Sequence, residues 1–269
     1  SQAAAHYKRF EKVRPNDMWQ ADFKGYFQMQ NGERCYPLNI LDDCSRFCLC
    51  SDALSNETLG EVKPVFQRLF REYGLPFSLL CDNGNPWGTS QSMGYTAFEV
   101  WLMELGVLTI HGRPLHPQTQ GKDERYNRSF TRECLNLNSF LDIADAQLKF
   151  DAYRSFYNNI RPHCALDLKV PSAVFQKSER QFPERIIDWE YGPEYQRCKV
   201  SETGYFSYGG HRYFLSEGFR GKSIAVRESA LPGQITLVFR QFRIGRIDLD
   251  KRVYTLKKCY LLDNDPRLD

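Results

Sequence analysis

Three acidic residues of this 269-residue chain stand where packing alone gives no reason for them. Asp22 lies inside the strand-like stretch WQADFKGYF, between Ala21 and Phe23, although aspartate is depleted from strands and seldom buried unpaired. Asp82 ends the short apolar run FSLLCD, and Glu124 sits in GKDERYNRSF among Lys122, Arg125 and Arg128. Each also has an ordinary reading. Asp-Asn-Gly is a turn sequence, a strand aspartate can face solvent, and a charged helix face is commonly a solvated one. Brought together, three carboxylates repel unless a cation compensates them, and oxygen donors without Cys or His suit Mg²⁺ or Mn²⁺. Two such ions about 4 Å apart activate the attacking oxygen and stabilise the leaving oxygen of a phosphodiester.

The helix that carries Glu124 separates it from its neighbour. At about 100° per residue, Glu124, Arg128 and Arg132 form one stripe with Arg125 beside it. Tyr126, Phe130, Cys134 and Leu137 form a roughly opposite, apolar stripe, and Asp123 shares the azimuth of Phe130. Glu124 therefore points away from the core with the arginines, while Asp123 serves the helix N-terminus. Cations gathered round a carboxylate are what a site needs if a phosphate backbone must reach it.

The elements that position these residues follow from the pattern. The stretch from Asp17 to Leu54 reads as three antiparallel strands in a meander, with Asn31-Gly32 as a hairpin signal and a second turn near Asp43 to Ser45. ETLGEVKPVFQRLFREYG has helical periodicity, FSLLC is a short strand buried on both faces, YTAFEVWLMELG a second helix and VLTIHG another strand. KDERYNRSFTRECLNLN and AQLKFDAYRSFYNNI are two further helices. Strands in a meander followed by alternating strands and helices describe an α/β domain with a mixed five-stranded sheet over residues 16–175. Residues 1–15 read as an N-terminal arm or linker, 176–200 as a connector, and 201–269, with Gly209-Gly210, Gly218, Gly221 and Pro232-Gly233 breaking short β-type runs, as a small all-β barrel.

Composition bounds the function. A hydrophobic content of 42%, with nineteen Phe and fifteen Tyr, is enough for real cores. The longest apolar runs fall far short of a bilayer span, and SQAAAHYKRF has no apolar signal core, which points away from membrane and export. Nine cysteines without a CxxC pair suggest free thiols in a reducing, cytosolic compartment. The net charge of +3 is modest, but residues 201–269 hold twelve Lys and Arg against eight Asp and Glu, so the basic surplus lies at the C-terminal end.

Four stretches, WQADFKG, PLNILDDCSRF, LLCDNGNPW and HPQTQGKDERYNRSF, followed by FYNNIRPHCALDLKVPSAVF, resemble the DDE transposases and retroviral-type integrases, most closely their bacterial insertion-sequence branch. The resemblance implies an RNase H-like core and an SH3-like C-terminal barrel. It maps the acidic triad onto Asp22, Asp82 and Glu124 as catalytic and metal-binding residues for two Mg²⁺ or Mn²⁺ ions. It also implies double-stranded DNA as partner, both transposon ends and target, a dimer or tetramer on that DNA, and a bacterial cytoplasmic location. The implied activity is cleavage at transposon ends and transfer of the 3′-hydroxyl strand to target DNA. A nuclease that only hydrolyses and a DNA-binding module with decayed catalysis are the rival readings. Two departures stand out: the spacing from Asp82 to Glu124 is somewhat longer than is usual in the family, with NPWGTSQSMGY as the insert, and the N-terminal helix-turn-helix expected in this branch is not in the sequence, which reads as a piece of a longer protein.

Around the triad, the expected DNA contacts are His116, Gln118, Lys122, Arg125, Arg128 and Arg132, with Trp87 as a stacking platform for a base or, alternatively, a packed loop tryptophan. Arg161, His163 and Lys169 read as solvated charges past a helix stop or as a DNA or subunit contact. Asp42 and Asp43 read as turn formers. Arg240, Arg243 and Arg246 line a strand that carries either phosphate contacts or solvated edge charges.

Overall fold

The computed structural model describes residues 12–88, 94–112, 121–229, 231–250, 253–255 and 260–261. Two compact units divide the chain: Ser1–Glu57 with Glu72–Pro76 and Gly112–Glu179, and Thr58–Arg71 with Phe77–His111 and Arg180–Asp269.

In the first unit the β-rich stretch folds as the expected meander. Its strands are β1 (Trp19–Phe23), β2 (Phe27–Gln28), β3 (Arg34–Asp42) and β4 (Cys48–Leu54). β3 pairs antiparallel with β1 and with β4, and the two-residue β2 pairs with its start. Gly32, at a φ of 84°, makes the turn that Asn31-Gly32 announces, closed by Met29 N–H to the Glu33 carbonyl at 2.9 Å. α3 (Gly121–Phe130) continues into one π-type turn, Thr131–Leu135, and α4 is Ile143–Asn159. Aromatic packing joins these helices. Tyr126 and Phe130 of α3 meet Phe150, Tyr153 and Tyr157 of α4, with ring centroids 4.8 Å apart for Tyr126 and Tyr157. Cys35 and Cys48 from the strands and Met29 from the turn after β2 complete this core.

The π-type turn changes the expected helix face. Asn136 N–H bonds to the Thr131 carbonyl, five residues back, at 2.8 Å, which adds a residue to that turn. Cys134 remains buried, but Leu137, expected in the apolar stripe, ends 74% exposed.

In the second unit β5 (Ser78–Cys81), buried along its whole length, pairs in parallel with β6 (Leu108–His111), and α2 (Ala97–Glu104) lies on the crossover between them. Phe66 and Phe70 of α1 (Leu59–Tyr73) pack there against Trp87, Phe98 and Trp101. The C-terminal region is all β. Strands β7 (Gln196–Lys199), β10 (Ser223–Glu228), β11 (Gln234–Phe239), β12 (Phe242–Asp248) and β13 (Val253–Thr255) form one antiparallel run. β8 (Tyr205–Tyr208) and β9 (His211–Phe214) form a hairpin, and β14 (Tyr260–Leu261) pairs with β12. Their apolar side chains share one cluster with Tyr95, Val100 and Met103. A cut after about Arg197 would therefore strip cover from α2, so removing the tail is not a clean test of what the tail does.

Antiparallel strands in one unit and a parallel pair in the other, each with its helices, make this a mixed α/β fold with an all-β C-terminal region. Among the described residues no helix is long and apolar enough to cross a membrane.

Candidate active site

The register of the meander places Asp22 opposite Asn39, and Asn39 opposite Ser51. Residues directly opposite share a face, so a polar row crosses strands whose adjacent residues Ala21, Leu38, Ile40 and Cys50 are buried. Buried polar side chains need partners. α3 supplies them. Asn127 Nδ2 donates to Asp22 Oδ2 at 2.7 Å, Asn39 Nδ2 to Asn127 Oδ1 at 2.7 Å, and Ser51 Oγ to Asn39 Oδ1 at 2.7 Å. Because the Ser51 hydrogen is used in that bond, the Tyr126 hydroxyl, 2.6 Å away, donates to Ser51 Oγ, and Cys48 Sγ donates to Tyr126 at 3.1 Å. Burial raises the pKa of both Tyr126 and Cys48, which keeps these groups protonated as donors. The hydrogens of Tyr126, Ser51, Asn39 and Asn127 thus run toward the Asp22 carboxylate, an arrangement whose bonds polarise one another, while the Cys48 thiol also faces the Cys50 carbonyl at 3.2 Å. Asn127→Ala removes the acceptor of the buried Asn39 amide and should cost about 1–3 kcal/mol. A urea midpoint indistinguishable from that of the unmodified chain would contradict this.

Asp22 and Glu124 line one open cleft of about 570 Å³, with Phe23, Lys24, Asn127, Arg128, Thr131, Arg132 and Asn136. Glu124, Arg125, Arg128 and Arg132 are all exposed, as the helix-face argument requires. Thr131 Oγ1 donates to the Asn127 carbonyl at 2.7 Å, tying the π-type turn to the residue that holds Asp22. Arg132 also bonds to Glu133 at 2.7 Å.

Asp82 belongs to the second unit, where it follows β5 and is exposed. Its Oδ1 accepts from Gly84 N–H at 2.9 Å, so Asp-Asn-Gly does form the turn its sequence suggests. Its carbonyl faces His111, whose other nitrogen faces Glu99. Burial opposes charge on that ring, yet the bonds to Glu99 and to the Asp82 carbonyl raise its pKa. Asn127 and His111 are the two residues that sequence reasoning passed over. KDERYNR contains the first, but a lone asparagine on a charged helix carries no signal of a partner 105 residues away.

Two expected DNA contacts are corrected. Lys122 is 16% exposed and its Nζ lies 2.6 Å from Asp43 Oδ2, a carboxylate 1% exposed, so it secures the start of α3 to the β3–β4 turn. Trp87 is 1% exposed and packs edge-on against Phe66 and Phe98, which makes it core rather than a platform for a base. Asp42 and Asp43 do more than form a turn. Both are buried: Asp42 accepts from Asn16 N–H, Ser45 N–H and Ser45 Oγ, and Asp43 from Lys12 N–H, Gln20 and Lys122. Arg161 pairs with Glu133. His116 and Gln118 lie outside the described residues.

Two carboxylates on one cleft, with an amide in place to orient one of them, form an oxygen donor set that fits a hard divalent cation. Among the described residues no group of three or more His, Cys, Asp and Glu stands close enough to hold a metal ion.

The family model described as Integrase core domain matches residues 12–117, a second model of the same description matches 105–171, and the IS481 family transposase C-terminal domain matches 196–255. Together the first two matches run through residues 12–171, so this region carries an integrase core domain. Relatives that the chain matches are named as proteins of bacterial insertion elements. It is 30% identical over 166 residues to the uncharacterized 39.2 kDa protein of insertion element IS476 from Xanthomonas euvesicatoria, covering 62% of this chain and 46% of that one. It is 27% identical over 184 residues to the putative transposase of insertion sequence element IS5376 from Geobacillus stearothermophilus, covering 67% and 45%. The chain thus spans about half the length of these relatives. Among solved structures, a chain of the simian T-cell lymphotropic virus intasome in complex with PP2A regulatory subunit B56 gamma aligns over 94% of this chain and 80% of its own, with a TM-score of 0.50 at 17% identity, a likeness of fold. The HTLV-2 integrase catalytic core domain in complex with magnesium aligns over 62% and 100%, with a TM-score of 0.45 at 17% identity.

Proposed function

We propose that this chain is the catalytic and C-terminal region of a DNA transposase that cuts at transposon ends and transfers the 3′-hydroxyl strand to target DNA. The observation that carries the reading is the cleft in which Asp22, held by Asn127, and Glu124 stand together with Arg128 and Arg132. Asp22, Asp82 and Glu124 would hold two Mg²⁺ or Mn²⁺ ions, which when bound supply an activated attacking oxygen and a stabilised leaving oxygen. Arg128 and Arg132, with Arg125 beside them, hold the phosphate backbone of the duplex against the carboxylates. Water is the nucleophile of the first step and a DNA hydroxyl that of the second, so no covalent link to the protein is needed. The proposal includes an RNase H-like core, an SH3-like C-terminal barrel that binds flanking DNA or a neighbouring subunit, a dimer or tetramer on DNA, and action in the bacterial cytoplasm.

The test is the purified chain with a labelled duplex and Mn²⁺. Products longer than the substrate support strand transfer. Shorter products alone support a nuclease, and unchanged substrate supports a binding module. In the same assay buffer, Arg128→Ala with Arg132→Ala should weaken DNA binding alike across sequences and flatten its dependence on salt, because phosphate contacts release counterions. An unaltered salt slope would take this helix face out of the interface.

A further inference from the structure

His111 closes β6 and reaches two groups at once. Its Nδ1 lies 2.8 Å from the backbone oxygen of Asp82 and its Nε2 lies 2.8 Å from Glu99 Oε1. A carbonyl oxygen can only accept, so Nδ1 carries a hydrogen and donates to Asp82. Glu99 is itself fixed. It is 6% exposed, its Oε2 accepts from Thr96 N–H at 2.6 Å, and its own N–H donates to Thr96 Oγ1 at 3.2 Å, a capping box at the start of α2. One imidazole therefore joins the first turn of α2 to the backbone just past β5.

The surroundings leave the ring little freedom. Parallel pairing sets Cys81 opposite His111, so the ring stands beside the residue that precedes Asp82. Gly88 N–H returns to the Gly84 carbonyl at 2.9 Å, and a Cβ built at Gly88 would lie 2.9 Å from His111 Cε1. Gly84 N–H in turn donates to Asp82 Oδ1 at 2.9 Å. A half-buried ring braced by Glu99 thus holds the Asp82 carbonyl, and the loop that follows holds the Asp82 carboxylate through Gly84 N–H. Cys81 Sγ also lies 3.9 Å from His111 Nδ1, on the same side of the ring as the Asp82 carbonyl contact.

We propose that His111, braced by Glu99, is a positioning residue that sets the backbone at Asp82 and with it the direction in which the carboxylate meets a divalent ion. The proposal rests on the reading of Asp82 as a metal ligand. His111 does not touch the ion or the DNA; it acts through Asp82, as groups behind metal ligands do.

Mn²⁺ binding to the 269-residue chain, measured by calorimetry without DNA, tests this together with the melting temperature of each variant. His111→Phe keeps the ring and loses both donors, and should bind Mn²⁺ about 10- to 100-fold more weakly. His111→Asn places an amide nitrogen where Nδ1 stands and should restore near-normal binding at a similar melting temperature. Unweakened binding by His111→Phe overturns the proposal, as does equal loss in His111→Phe and His111→Asn. If His111→Phe does not fold, Gly88→Ala presses a methyl group onto the ring and should weaken Mn²⁺ binding in the same way; normal affinity there overturns the proposal too. Asp82→Asn separates the two levels of argument. An unmodified chain that binds Mn²⁺ no better than Asp82→Asn removes Asp82 as a ligand and sinks the functional reading itself, whereas loss in Asp82→Asn with normal binding in His111→Phe sinks only the role of His111.

Discussion

Asp22→Asn, Asp82→Asn and Glu124→Gln should each abolish Mn²⁺-dependent strand cleavage, while the melting temperature should stay at or above that of the unmodified chain. The amides are chosen because the structural bonds survive them. An Asn at 22 still offers an oxygen to Asn127 Nδ2, and an Asn at 82 still accepts from Gly84 N–H. Glu124 is exposed, so its replacement disturbs little packing. What each change removes is one negative charge, and with it like-charge repulsion that a bound divalent ion would relieve. Cleavage followed on a labelled duplex and melting followed by calorimetry give the two readouts. Asp123→Asn is the control: if it abolishes cleavage and Glu124→Gln does not, the ligand has been assigned to the wrong face of α3.

Lys122→Ala should be the most destabilising single change near the site, and for a reason unrelated to DNA. Removing one partner of a buried ion pair costs about 3–5 kcal/mol because the other charge is left behind. Asp43 keeps its bonds from Gln20 and the Lys12 N–H, which places the expected loss at the lower end of that range. A fall in the urea midpoint measures it. Below its melting temperature the folded variant should retain the salt dependence of DNA binding, in contrast to Arg128→Ala. A flattened salt slope with unchanged stability would return Lys122 to the phosphate-contact role its sequence position first suggested.

Local chemistry determined a good deal of this protein in advance. Alternation and Asn31-Gly32 specify the meander, because the period of two and the left-handed turn residue are local properties. The azimuth of Glu124 against Tyr126 and Phe130 follows from helix geometry alone, and that face is the exposed one. The breaks at Gly209-Gly210 and Gly221 mark an all-β region for the same reason.

What only the tertiary structure decided is which polar groups meet. Asn127 could not be joined to Asp22, nor Asn39 to Asn127, by reading spacings, since hydrogen bonds across 105 and 88 residues depend on strand register and on how α3 lies over it. Lys122 looked like a surface group and Trp87 could be read either way because residue type reports average exposure, whereas the partner that buries each, Asp43 in one case and Phe66 with Phe98 in the other, comes from a distant segment. Leu137 left the apolar stripe because the helix ends before it, in a π-type turn closed by one i→i+5 bond and capped at Asn136, a stop that an average period of 3.6 residues does not contain. Type and period are carried by each residue and its near neighbours; the partner of a buried polar group is a property of the packed chain.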